Sequence, residues 1–209
     1  MSGFEVTIKG HNIYGYSRYI HFYREIVANA RDDDLFVEVG SFLGQSTAAM
    51  GAYIQSAGKR IDFHAVDIFE LSEFSDEPHY KVIEEHGGDF YGIFEENLRS
   101  AGVREFVNPI KATSLEAASQ YTDRSIDFLM IDASHAYADV VDDIIAWYPK
   151  IKVGGIISGD DYDFEEVYKA VQDTCGTNVS VFPNTTWWFK KQFESLEDHK
   201  NFTPPESSS

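Results

Sequence analysis

Five apolar runs, each followed by a stretch of helical spacing, constrain this chain more than any other feature. The runs are Leu35–Gly40, Arg60–Ile68, Glu105–Ala112, Ser125–Asp132 and Gly154–Asp160. The stretches are Gly44–Ala57, Asp89–Ser100, Ser114–Tyr121, Ala136–Ile151 and Asp163–Thr174. In Ala136–Ile151, for instance, Val140, Val141, Ile144, Ile145, Trp147 and Tyr148 recur on or near one helical face. Strands that alternate with helices form a parallel sheet, with the crossover helices covering both faces. After the last helix the pattern changes. Val179–Pro183 and Thr185–Lys190 meet at Asn184 with no helix between them, so they must pair antiparallel. The expected fold is α/β: a doubly wound, mostly parallel seven-stranded sheet that ends in an antiparallel hairpin.

A chain of 209 residues is long enough to bury a large core as one domain. We expect that domain over residues 1–195, followed by a polar tail, 196–209, whose last part is disordered. Residues 1–15 read as a short strand or an ordered arm. Ser17–Ala30 reads as a helix, with Tyr19, Ile20, Tyr23, Ile26 and Val27 at helical spacing. Phe69–Gly88 is long for a connection in a compact domain and reads as an insertion, either a lid or plain packing. Trp187 and Trp188 alternate across a strand, one toward the core and the other outward.

Composition excludes some classes. Seventeen basic residues against 35 acidic ones give a net charge of -18, which argues against a nucleic-acid partner. Cys175 stands alone, so no internal disulfide forms, and a reducing compartment, the cytoplasm, is expected. No run approaches the roughly eighteen apolar residues of a membrane span, and the first residues lack a signal-peptide pattern, so no membrane partner is expected. Nothing decides between a monomer and a homo-oligomer.

In an open α/β sheet, ligands sit at the carboxyl ends of the strands. The first strand ends in Glu38-Val39-Gly40-Ser41-Phe42-Leu43-Gly44-Gln45-Ser46. Gly40 permits a sharp turn and close approach of a ligand, and Gly44 opens the helix. Bulky Phe42 and Leu43 occupy the place where a pyrophosphate would rest, and Glu38 would repel one. An acid there suits an ammonium or a sulfonium group, and S-adenosylmethionine carries both. Asp67, ending the second strand, can accept hydrogen bonds from ribose hydroxyls. Thr113 and Ser114, after the third strand, are placed to line an adenine pocket. A plainer reading makes Ser114 a helix N-cap and Glu38–Gly40 an ordinary tight turn.

Asp132 ends the fourth strand, and Asp160 and Asp161 end the fifth. Neighbouring strands would bring these carboxylates together, and a proton or a cation must then hold them. Oxygen ligands favour Mg²⁺, then Mn²⁺ or Ca²⁺. A cation on a substrate hydroxyl lowers its pKa, and His135, three residues beyond Asp132, could take the proton. The plainer readings are an N-cap for Asp132, an acidic turn for Asp160–Asp161 and a solvated loop for His135.

FVEVGSFLGQST, HAVDIF, FLMIDASHAYADVVDDI and VGGIISGDDY together resemble the motifs of class I, Rossmann-like, metal-dependent O-methyltransferases, over about residues 35–190. Catechol O-methyltransferase is the familiar relative, but the D-x-x-H arrangement and the acidic pair are more similar to the macrocin- and mycinamicin-type sugar enzymes. The resemblance implies Asp132, Asp160 and Asp161 as metal ligands and His135 as general base. It also implies Glu38, Gly40, Ser46 and Asp67 as contacts of S-adenosylmethionine. Catechol-type enzymes carry Lys in place of His135 and Asn in place of Asp161. The expected function is therefore transfer of a methyl group to a small-molecule hydroxyl acceptor, sugar-like or phenolic. The insertion Phe69–Gly88 and the Tyr14–Tyr23 region, aromatic and polar at Tyr14, Tyr16, Phe74, His79 and Tyr80, are expected as its walls, or else as plain packing of a lid. A non-catalytic binding module that keeps the fold is the alternative. An NAD-dependent oxidoreductase fits less well, because the third glycine of the dinucleotide motif is missing and the closing hairpin is foreign to that group.

Overall fold

The structure, a computed structural model, describes residues 3–71, 77–85, 87–183 and 185–202, without the side chains of 77–79. Seven strands form the main sheet: β3 (Leu35–Val39), β4 (Asp62–Asp67), β5 (Asn108–Lys111), β6 (Ile126–Ile131), β7 (Ile151–Gly159), β8 (Ser180–Phe182) and β9 (Thr186–Lys190). Their order is β5-β4-β3-β6-β7-β9-β8. The first five run parallel, and β9 is antiparallel to both β7 and β8, as expected. From β3 the chain winds outward through β4 to β5, then returns to place β6 against the other side of β3. That reversal opens a crevice above the carboxyl ends of β3 and β6.

Alternate strand residues face two separate cores, as the two-residue period of a strand requires. Phe36, Phe63, Phe128 and Met130 meet α1 (Ile20–Asn29), α2 (Gln45–Ala57) and α4 (Phe90–Ser100). Val37, Leu129, Ile131 and Ile157 meet α5 (Ser114–Gln120), α6 (Tyr137–Trp147) and α7 (Glu165–Cys175). Both faces being covered, Trp188 does not point outward: Trp187 enters the second core and Trp188 packs on Phe22 of α1, with ring centroids 6.0 Å apart.

Caps follow the sequence where their chemistry is local. Gly58 ends α2 in the left-handed conformation, and the Asp89 carboxylate accepts from Gly92 N at the start of α4. Three elements exceed expectation. Residues 1–15 hold a β-hairpin, β1 (Phe4–Ile8) and β2 (His11–Gly15). Buried Gln45 fixes it: Nε2 donates to Phe4 O and Ile13 O, and Oε1 accepts from Ser17 N. The expected insertion contains α3 (Glu77–Glu85), while 72–76 and 86, with Phe74 and the side chain of His79, lie outside the described residues. So do Asn184 and tail residues 203–209.

The tail segment also forms α8 (Leu196–Asn201), capped by Ser195. It buries His199, whose ring stacks on Phe189 at 4.0 Å. Neither ring nitrogen has a hydrogen-bond partner among the described residues. Burial therefore pushes the imidazole below its usual 6.5, because the charged form has nothing to replace water. A lowered histidine costs stability as pH falls through 6.5, where the unfolded chain takes up a proton that the folded chain refuses. Thermal melts between pH 7.5 and 5 are expected to show wild type losing stability that His199→Phe keeps, by about 1 kcal/mol at the acid end. Parallel curves would refute this.

Candidate active site

The first loop, after β3, folds around a buried acid. Glu38 is fully buried on β3, and its Oε1 accepts from Tyr23 Oη at 2.8 Å. Oε2 accepts from Ser41 Oγ at 3.2 Å and from the Thr47 hydroxyl. Ser46 lies within hydrogen-bonding reach of Glu38 and of Tyr19. Burial still pushes the Glu38 carboxyl above its ordinary range, against the pull of these hydroxyls. Asp67, at the end of β4, organises the same loop. Its Oδ2 accepts from Ser41 N and Phe42 N, both at 2.9 Å, and its Oδ1 from Phe69 N at 2.7 Å. The Ser41–Asp67 contact and the Glu38 hydroxyl cage tie this corner together.

Gly40 adopts φ +90° at the turn. A Cβ built there would stand 1.8 Å from the carbonyl oxygen of Asp132. The close approach this glycine permits is thus first of all that of the β6 end, which Asp132 N ties to Val39 O at 2.8 Å. Gly44 is the N-cap of α2 in left-handed conformation, packed under Phe94. Thr113, not Ser114, caps α5, in a reciprocal capping box with Glu116. Ser114 Oγ accepts from Trp147 Nε1 at 2.9 Å, so its hydroxyl is engaged inside the second core.

The acids gather on the other side of the crevice. Asp132 follows β6, and its Oδ2 accepts from Tyr19 Oη at 2.7 Å. It caps no helix, for Ala136 holds the N-cap position of α6. His135 Nε2 lies 2.8 Å from Asp161 Oδ2. Asp161 takes φ +56°, a left-handed conformation that costs a non-glycine residue about 1 kcal/mol and aims its carboxylate back at His135. Asp132, His135 and Asp161 each offer a donor atom within 4.8 Å of the others. Asp160, expected in that set, turns toward the closing strand, where its Oδ1 accepts from Thr186 Oγ1 at 3.2 Å. A cavity of about 10 Å³, room for roughly one water, lies under Asp132 and Asp160, floored by Val140, Val167 and Trp187.

Burial, then the charges of Asp160 and Asp161, hold the Asp132 carboxyl well above the usual carboxylate range. Burial also raises the Asp160 carboxyl. The hydrogen bond to Asp161 pushes His135 up. Negative charge is concentrated here with no Lys or Arg among the donors. Two carboxylates in that arrangement suit a divalent cation, with the imidazole set beside them. On the other side Glu38 lies on β3 and Asp67 at the end of β4, and no basic side chain stands from Gly40 to Ser46, which suits a cationic ligand and not a pyrophosphate.

Thr47 is a site residue that sequence reasoning missed, and Tyr19 and Tyr23, which it placed on a helix and in the Tyr14–Tyr23 substrate wall, it missed as partners of Asp132 and Glu38. The one local signal is that Tyr19 and Tyr23 stand one helical turn apart, each a buried ring with a polar tip that needs a partner. Arg18 lies 3.8 Å from Asp163, tying the segment before α1 to the loop after β7.

A family model described as a methyltransferase domain matches residues 37–162. An uncharacterised protein of Acanthamoeba polyphaga mimivirus is 28% identical over 154 residues, 72% of this chain and 63% of its own length. The chain thus spans less than two thirds of that curated relative. Among solved structures, the O-methyltransferase NovP superposes with a TM-score of 0.65 at 16% identity, over 90% of this chain and 88% of its own. An rRNA methylase from Streptococcus thermophilus superposes with a TM-score of 0.55 at 15% identity, over 86% of this chain and 99% of its own. This last likeness corrects the exclusion of a nucleic-acid partner from net charge. The same fold serves rRNA methylases, and a charge summed over the whole chain does not describe any one part of its surface. Among the described residues no helix is long and apolar enough to cross a membrane.

Proposed function

We propose, from the premise that this chain belongs to the methyltransferase-domain family, that it moves a methyl group from S-adenosylmethionine to a hydroxyl oxygen, with the help of a divalent cation, Mg²⁺ or Mn²⁺. The observation that carries this reading is the convergence of Asp132, His135 and Asp161 at the sheet's reversal, beside a loop whose acids are Glu38 and Asp67. The acceptor proposed is small and polyhydroxylated, sugar-like or phenolic. The likeness to an O-methyltransferase and the polar aromatic rims, Tyr14 and Tyr16, support it.

Asp132 and Asp161 would hold the cation, with the charge of Asp160 behind them. When bound, such an ion supplies Lewis-acid polarisation of the acceptor hydroxyl. S-adenosylmethionine supplies a methyl group on a positively charged sulfur, which a loop without a basic side chain, set between Glu38 and Asp67, favours over a phosphate. His135, half exposed and held by Asp161, takes the proton the hydroxyl releases. Gly40 keeps the two strand ends in contact, so the donor side and the acid side meet across one crevice.

Calorimetric titration with S-adenosylmethionine tests the donor, and turnover on sugars, phenols and RNA tests the acceptor. Activity is expected to fall to background in EDTA and to return with Mg²⁺ or Mn²⁺. Full activity in EDTA refutes the cation. Methylation of RNA alone moves the acceptor to a different class, and absence of donor binding ends the reading.

A further inference from the structure

Two consecutive residues ahead of α1 reach the two acid-bearing strand ends. Arg18 pairs with Asp163, after β7, and Tyr19 donates to Asp132, after β6. The two contacts differ in weight. Arg18 and Asp163 are both well exposed, and such pairs contribute little. Tyr19 is wholly buried, its ring set edge-on to Tyr23 at 5.1 Å, and its hydroxyl donates to Asp132 with Ser46 also within reach. The backbone around it supports that placement, since Phe22 N and Tyr23 N both donate to Tyr19 O. Without a donor, a partly buried carboxylate that faces two more acids would rotate away from them or draw in water.

We propose that Tyr19 is a positioning residue of the acid cluster: by holding Oδ2 of Asp132 it sets the plane in which that carboxylate meets a divalent cation. The inference rests on the cation reading above and adds to it a residue from outside the strand-end loops. Groups that orient a metal ligand typically change metal affinity 10- to 100-fold when removed. Tyr23 is the matched control. It is equally buried, lies one helical turn further on, inside α1, and donates to a carboxylate, Glu38, on the far side of the crevice.

The test is Mn²⁺ alone, titrated into the full chain and followed by the electron paramagnetic resonance of the free ion. Wild type is expected to bind, Tyr19→Phe to bind at least about 10-fold more weakly, and Tyr23→Phe to match wild type within about twofold. Equal affinity of Tyr19→Phe and wild type overturns the inference and leaves the cation reading intact. Equal weakening of both variants overturns it too, as loss of packing. A wild type that binds no Mn²⁺ ends both. Should Tyr19→Phe fail to fold, hydrogen exchange on wild type decides. Linkage requires Mn²⁺ to slow exchange at residues 19–23, and unchanged exchange there overturns the proposal.

Discussion

Gly40→Ala is expected to destabilise the protein by about 4 kcal/mol or more, enough to leave much of it unfolded at 37 °C. Two costs add at one atom. The first is conformational: φ +90° is barely open to an L side chain. The second is steric, and it dominates. The new methyl would stand 1.8 Å from Asp132 O, 2.5 Å from Asp132 C and 3.0 Å from Ala133 Cα, all backbone. No rotamer relieves the overlap. Relief means moving the end of β6 away from β3, which breaks the Asp132 N to Val39 O bond and widens the crevice on which both halves of the site depend. Gly58→Ala separates the two costs. Gly58 has φ +63° but nothing within 4 Å of its Cβ position, so only the conformational cost of about 1 kcal/mol remains. Denaturant unfolding of both variants checks the pair. A Gly40→Ala loss as small as that of Gly58→Ala would mean that the β3–β6 junction is loose.

Gly40 also shows where sequence reasoning stops. The need for a glycine was legible from the strand-to-helix turn, but the atom it yields to belongs to a strand some ninety residues on. The strand and helix alternation was legible because its periods are local, and so were the caps at Asp89 and Gly58. The N-terminal hairpin was not. Its turn, Lys9-Gly10, takes positive φ at both residues without the Asn-Gly or Asp-Gly pair that announces such a turn. The fifth strand begins at Ile151, not Gly154, because the chain continues through a bulge there, with a register shift against β6, where paired glycines read as a start. The acids were legible as a set at strand ends. Which of them face one another depends on the left-handed turn at Asp161 and on Thr186, which draws Asp160 away. Tyr19 meets Asp132 across 113 positions, a pairing that no spacing rule reaches.

Asp132→Asn is expected to move stability and activity in opposite directions. In the folded chain the carboxyl at 132 is held well above its ordinary range, by burial first and then by Asp160 and Asp161. An acid whose folded pKa is raised costs stability at every pH above its unfolded value, because the unfolded chain ionises more readily. Asparagine keeps the shape and an acceptor oxygen for Tyr19, and it removes the charge. Without added divalent ion, the variant should therefore unfold about 1–2 kcal/mol later than wild type near pH 7.5, a gain that fades toward pH 4. Turnover should fall at least about 100-fold, as when one preorganised electrostatic group is lost from a site. Added Mg²⁺ separates the origins of the two effects. It should raise the melting temperature of wild type, in which the acids repel, and hardly move that of the variant, in which one repelling partner is gone. A less stable Asp132→Asn at neutral pH would show that the carboxylate is held by the fold itself. Retained turnover would show that methyl transfer does not pass this corner of the crevice.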